Sequence, residues 1–288
     1  FVERSLCFAN VGGSTCLVTP QNWLFLSSYT KFRKNLLATS TWDLLARLGP
    51  KGFQTPMWDF NIALLLITRK SPAARNEFAG VDVSDEDAPI LKAAALSTRP
   101  LQVTYQSAQL NNPDARISFG EQTKVSLLEV FADAPQGAKT GDDGLWRRFF
   151  WEISHFAAGW LPYQSTVEAT LHYGGRKEVI DWRTSGIGMI RPRLDNRAIG
   201  KAGVAVSQIG QLSCTLYSGE RFDSNVAAIV PKNTVHVIPL WLFCSSPDFH
   251  SRVRRIDQKL NVTNATLLKV PFDLAHWQKV TVEKYPHG

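Results

Sequence analysis

Hydrophobic and polar positions follow two different patterns along the first quarter of the chain. Residues 14–20 (STCLVTP), 42–49 (WDLLARLG) and 60–70 (FNIALLLITRK) are short apolar runs of strand length. Residues 27–40 (SSYTKFRKNLLATS) instead place Phe32, Leu36 and Leu37 at helical spacing, with Ser27 or Ser28 as N-cap. Residues 1–10 read as the end of a helix, stopped by Gly12 and Gly13. The run ALLLI is too apolar for a strand with one wet face, and residues 14–20 read as buried up to Pro20. Strands alternating with a helix therefore predict an α/β sheet covered on both faces.

Beyond Lys70 the pattern changes. Residues 71–89 carry two prolines and a run of acids, and read as a linker that ends the α/β portion. Residues 87–98 predict a helix capped by Asp87, residues 101–106 a short strand, and residues 122–133 another helix. Short aromatic-rich segments with glycine and asparagine turns follow. The next long amphipathic helix is residues 246–261. The fold class expected is α/β plus α+β, with a sheet over residues 1–75 and an irregular, mainly β domain with peripheral helices over residues 76–288.

Composition narrows the class. The chain of 288 residues is 44% hydrophobic, with nine Trp and 16 Phe, which argues against global disorder. The apolar runs fall well short of the roughly 18 residues of a membrane span. The net charge of +7 favours a polyanionic partner. Cys7, Cys16, Cys214 and Cys244 form no C-x-x-C pair and no cluster with zinc-ligand spacing, so they read as buried, reduced thiols of a cytoplasmic protein. His155, His172, His236 and His250 are scattered, and Asp142-Asp143 between two glycines reads as a turn. No P-loop, zinc-protease helix or nucleophile elbow is present, so these residues define no self-contained active site.

The run GGSTCLVTPQNWLFLSSYTKFRKNLLATSTWDLLARLGPKGF, followed by NIALLLITRK, resembles the later sheet strands of amino-type adenine-N6 DNA methyltransferases, those of type II restriction–modification and BREX-like phage-defence systems. QGAKTGDDGLWRRFFWEI, WLPYQ, HYGGRKEVIDWR and NVTNATLLKVPFDLAHW resemble segments of the target-recognition domain of the same enzymes. The resemblance implies a fragment of a Rossmann-like sheet in residues 1–75 and a DNA-specificity domain in residues 76–288. It implies S-adenosylmethionine as methyl donor in the intact enzyme, double-stranded DNA as partner, and a bacterial cytoplasmic location. The family's cofactor loop and Asn/Asp-Pro-Pro-Tyr/Phe motif lie N-terminal to the TPQNWL strand, and this chain has no Pro-Pro dipeptide. The chain alone is thus expected to bind no cofactor and to be inactive; the alternative is a separately encoded DNA-specificity module without catalysis.

Phe53 matches the aromatic that stacks on the extruded adenine in that family, with Trp58 and Phe60 as competitors and Trp23 as core. Residues 181–201 carry Arg183, Arg191, Arg193, Arg197 and Lys201 against two acids, an arginine-rich stretch suited to guanine edges and phosphates. Lys139 and Thr140 are placed to meet phosphates. Arg147 and Arg148 sit on a strand, so one faces DNA and the other pairs locally, with Glu152 as partner. Ser207 and Gln208 match exposed positions in the family, and a Gln reads adenine bidentately. Arg252, Arg255 and Lys259 share a helix face, suited either to clamping phosphate or to solvent.

Overall fold

In the computed structural model, residues 1–54, 60–119, 125–154, 159–257 and 260–287 are described. Trp58, His155 and Lys259 lie outside them. The chain forms two compact units, one of residues 1–124 with 254–259, the other of residues 125–253 with 260–288.

The first unit is built on a five-stranded mixed sheet. After helix α1 (Val2–Phe8) come β1 (Ser14–Pro20), α2 (Thr30–Thr39), β2 (Thr41–Gly49), β3 (Ile62–Thr68), β4 (Glu77–Asp82), α3 (Pro89–Thr98) and β5 (Gln102–Tyr105). The spatial order is β1-β3-β2-β4-β5. β3 runs antiparallel to both β1 and β2, with Leu65 opposite Leu17 and Leu45, so β1 and β2 are parallel and joined through α2. β3 is buried on both faces, which is why its sequence is continuously apolar. Ala63, Leu65 and Ile67 join Trp23, Leu36, Leu37, Trp42 and Phe78 in one cluster. Ile62 and Leu64 join Leu48, Val81 and Ala95 in another. Arg33 of α2 is fully buried and donates to the carbonyls of Trp23, Leu26, Asp114 and Ala115, tying the turn after β1 to residues 114–115. Burial pushes its pKa down to about 10. Residues 254–259 belong to this unit: Ile256 packs on the first cluster, and Asn61 Nδ2 donates to Asp257 at 2.8 Å.

Several expectations are corrected. β1 is an edge strand with alternating exposure rather than a buried one, which is also why it tolerates Pro20. Residues 71–89 do not end the sheet: β4 lies within them and pairs in parallel with β2, so the boundary expected at 75–76 falls inside the first unit. Gly80 carries no Cβ, and the ring of Phe119 occupies the space one would need. Neither serine caps α2, which is entered through a 3-10 turn at Ser27–Tyr29, and the residue before α3 is Ala88 without a side-chain cap. Cys7 and Cys16 are exposed, whereas Cys214 and Cys244 are buried.

In the second unit α4 (Leu128–Phe131), shorter than expected, leads to β6 (Ala132–Asp133), α5 (Asp143–Trp146), β7 (Arg147–Phe149), β8 (Trp160–Gln164), β9 (Glu178–Asp181), β10 (Gly203–Ser207), β11 (Cys214–Tyr217), β12 (Arg221–Phe222) and β13 (Val226–Pro231). They form two four-stranded sheets, β11-β10-β13-β6 and β12-β8-β9-β7. The fully buried β10 and β13 explain the apolar runs GVAVS and VAAIVP. α6 (Val237–Cys244) packs on β10, and α7 (Pro247–Ile256), α8 (Asn264–Leu268) and α9 (Leu274–Lys284) complete the chain. Among the described residues no helix is long and apolar enough to cross a membrane.

Candidate nucleic-acid interface

A groove of about 740 Å³ opens on the second unit, with a wall drawn from five separate stretches of sequence. Its two cations are Lys139 and Arg191. Their backbones exchange hydrogen bonds of 2.9 Å in each direction, forming an isolated antiparallel bridge. Residues opposed in such a bridge project to the same side, so the two side chains enter the groove together. Both are exposed and make no side-chain hydrogen bond or ion pair among the described residues.

The rest of the wall is rich in amides: Gln136, Gln208, Asn225, Asn261 and Asn264. Asn264 is fixed, with Nδ2 donating to the carbonyls of Ala134 and Pro135 at 2.9 Å and Oδ1 accepting from Gln208 Nε2. The main chain of Gln208 stitches the other stretches together, its N–H donating to the Asn225 carbonyl and its carbonyl accepting from Val262 N–H. Asn225 and Asn261 are exposed, and their side-chain amides make no hydrogen bond among the described residues. A groove with fixed amides on its floor, open amides on its rim and two adjacent cations suits a polyanion with hydrogen-bonding edges. Sequence reasoning found Lys139, Arg191 and Gln208 but missed Asn225, Asn261 and Asn264. The two asparagines in NVTN entered only as part of a segment resembling the target-recognition domain.

The other expected contacts separate into engaged and open groups. Thr140 is buried, its hydroxyl donating to Asp143 at 2.5 Å. Arg147 is half-buried between Glu178, Asp143 at 2.9 Å and Asp223 at 3.0 Å, with its guanidinium 5.0 Å from the Tyr163 ring centre. Burial is the largest single influence and acts against its charge, but Glu178, Tyr163 and Asp143 together outweigh it and the pKa is raised. Arg148 faces solvent, as alternation requires, and donates to the carbonyls of Gly144 and Arg147. Glu152 is not the partner of either arginine; its carboxylate accepts from Phe149 N–H. Ser207 and Gln208 are buried rather than exposed, and the Ser207 hydroxyl is held by both main-chain groups of Val167. Arg183 pairs with Asp181, Arg252 with Asp248, and Arg193 donates to Gln136 at 2.6 Å. Arg197, Lys201 and Arg255 are exposed. Lys259 lies outside the described residues.

In the first unit, Phe53 lies between β2 and β3 and is 45% exposed; Phe60 is exposed to a similar degree. Trp23 is core, edge-on to Phe32 at 5.3 Å. Among the described residues no group of His, Cys, Asp and Glu is arranged to hold a metal ion.

No protein-family profile matches the chain. Its fold, a mixed α/β arrangement with several sheets, is similar to part of the Type IIL restriction–modification enzyme MmeI, solved in complex with DNA: the two superpose with a TM-score of 0.50 at 9% identity, covering 89% of this chain and 37% of that one. The DrdV–DNA complex covers 95% of this chain and 38% of its own, at 8% identity and a TM-score of 0.46. In sequence the chain is similar to the adenine-specific methyltransferase PglX of Lacticaseibacillus casei (strain Zhang), with 23% identity over 218 residues. The match covers 65% of this chain and 18% of PglX, so the chain spans less than a fifth of that relative's length. The sequence is thus similar to an adenine-specific methyltransferase, and the fold to a restriction–modification enzyme.

Proposed function

We propose that this chain is the DNA target-recognition part, with the adjoining end of the catalytic sheet, of a site-specific adenine-N6 DNA methyltransferase of a bacterial restriction–modification or phage-defence system. The first unit is the remnant of the Rossmann-like core and the second unit reads duplex DNA. In the intact cytoplasmic enzyme a methyl group passes from S-adenosylmethionine to the exocyclic nitrogen of an adenine held out of the helix, and Phe53 stacks on that base.

The residues of this chain do not fit the cofactor. Of the carboxylates on β2 and β4, Asp43 accepts from Thr68 and Asp82 pairs with Arg47, while Glu77 is exposed at the start of β4. The turn from β1 towards α2 is filled by the buried Trp23, Leu24 and Phe25 rather than by glycines that let a ligand approach the backbone. We therefore assign the cofactor loop and the catalytic tetrapeptide to sequence outside this chain.

The observation that carries the reading is the groove. It joins Lys139 and Arg191, whose side chains have no partner among the described residues, to open amides of the kind that read adenine edges. Phosphate contacts by the cations set register, and Asn225 and Asn261 face the bases. The test is fluorescence anisotropy with a labelled duplex at low salt. The Lys139→Ala/Arg191→Ala variant is expected to bind at least about tenfold more weakly than the parent. Arg252→Ala, whose side chain is already paired, is expected to bind nearly as the parent does. Equal binding by the double variant and the parent would sink the assignment.

A further inference from the structure

The end of β7 carries a second feature that the groove does not use. Phe149 and Trp151 lie face to face, ring centres 4.6 Å apart and planes within 6° of parallel. Phe150 meets Trp151 edge-on at 5.0 Å. All three are exposed, Trp151 by 57%. Single exposed apolar residues are ordinary, but three adjacent aromatics in solvent form a contiguous patch of the kind that marks a binding surface.

The backbone beneath them is fixed. Glu152 accepts from Phe149 N–H at 2.7 Å, and Phe150 N–H donates to the Lys177 carbonyl at 2.9 Å. The rings are thus presented by a tied 3-10 turn, Phe150–Glu152, rather than by a loose loop. Two cations flank the rings without carboxylate partners. Arg148 and Lys177 are both exposed, and neither pairs with a carboxylate among the described residues. Two carboxylates lie close as well: Glu152, which accepts from the Phe149 amide, and Glu178, opposite Phe149 in the ladder and paired with Arg147.

We propose that Phe149 and Trp151 form a stacking platform for an unpaired nucleic-acid base, with Arg148 and Lys177 on the flanking phosphates. Parallel rings with an open face, rimmed by cations, match the two requirements for holding single-stranded nucleic acid: a flat surface for the base and positive charge for the backbone. Phe149, Trp151 and Arg148 would also suit a protein interface, but Lys177 would not, since interface cores are depleted of lysine. The proposal rests on the chain being a DNA-binding one, but it uses neither the groove nor its residues.

The experiment compares a labelled short oligodeoxythymidine with a blunt duplex, using the whole chain. Trp151→Ala and Phe149→Ala are each expected to weaken oligodeoxythymidine binding by roughly tenfold while duplex affinity stays within about twofold. Trp151→Phe retains most of the affinity. Thermal melting of each variant confirms that the exposed truncations leave the fold intact. Unchanged oligodeoxythymidine binding in both alanine variants overturns the platform, as does an equal loss on both DNAs or no binding of the single strand by the parent. Lys139→Ala/Arg191→Ala is the counterpart: loss of duplex affinity in that variant alone supports the groove, and its retention condemns the groove without touching the platform.

Discussion

Arg147 and Arg191 carry the same charge in the same unit and have opposite fates. Arg147 is enclosed by Glu178, Asp143 and Asp223, so its charge is consumed in holding β7 to its neighbours. Arg191 is held through its backbone, leaving the guanidinium available. Arg183 lies between these cases: it is largely exposed, yet its hydrogen bonds with Asp181 hold that carboxyl below its ordinary value of 3.8. A carboxyl depressed in the folded state adds stability above its unfolded value and loses it as pH falls through the folded one. The parent should therefore lose stability below about pH 4, and Arg183→Ala should return the Asp181 pKa towards 3.8 and weaken that acid dependence. The pair contributes little to stability, because its arginine is solvated. NMR titration of Asp181, with urea midpoints taken across the acid range, checks both outcomes; an unmoved Asp181 would refute the pairing. Sequence alone could not separate the three arginines, since what distinguishes them is which carboxylates the fold brings near. Alternation along β7 did identify correctly that Arg147 and Arg148 face opposite ways.

At the level of elements, β1, α2, β2 and β3 were legible because burial on one or both faces imposes a local period on the sequence. β4 was missed for the opposite reason. It is short, flanked by polar residues and interrupted by Gly80, and its apolar content makes sense only once β2 and Phe119 lie beside it. Phe78, almost fully buried, contacts Trp42 at 5.6 Å and Phe119 at 6.1 Å between ring centres. If β4 is integral to the sheet, Phe78→Ala should destabilise the first unit by about 3–5 kcal/mol. The same change in a linker would cost almost nothing. Chemical denaturation followed by tryptophan fluorescence separates these outcomes, because Trp42 reports directly on that cluster. The groove was illegible in the same sense, since an isolated bridge, one buried glutamine and a helix start separated by many residues assemble it.

For the whole molecule, the excess of positive charge becomes a statement about function only when the paired cations are set aside. Arg33, Arg99, Arg147, Arg183 and Arg252 are engaged by carbonyls or carboxylates inside the protein. Lys139 and Arg191, with the exposed Arg197 and Lys201, are among the cations with no carboxylate partner among the described residues, and on the proposed reading they displace counterions from DNA. Each phosphate neutralised contributes about 0.9 to the slope of log affinity against log salt. The parent should therefore bind duplex with a slope steeper than about −2, and Lys139→Ala/Arg191→Ala should flatten it by about 2. A loss of affinity with unchanged slope would mean that the two side chains support the groove without touching phosphate. Anisotropy titrations at several salt concentrations measure that slope directly, and they distinguish a charge that binds DNA from one that only keeps the protein in solution.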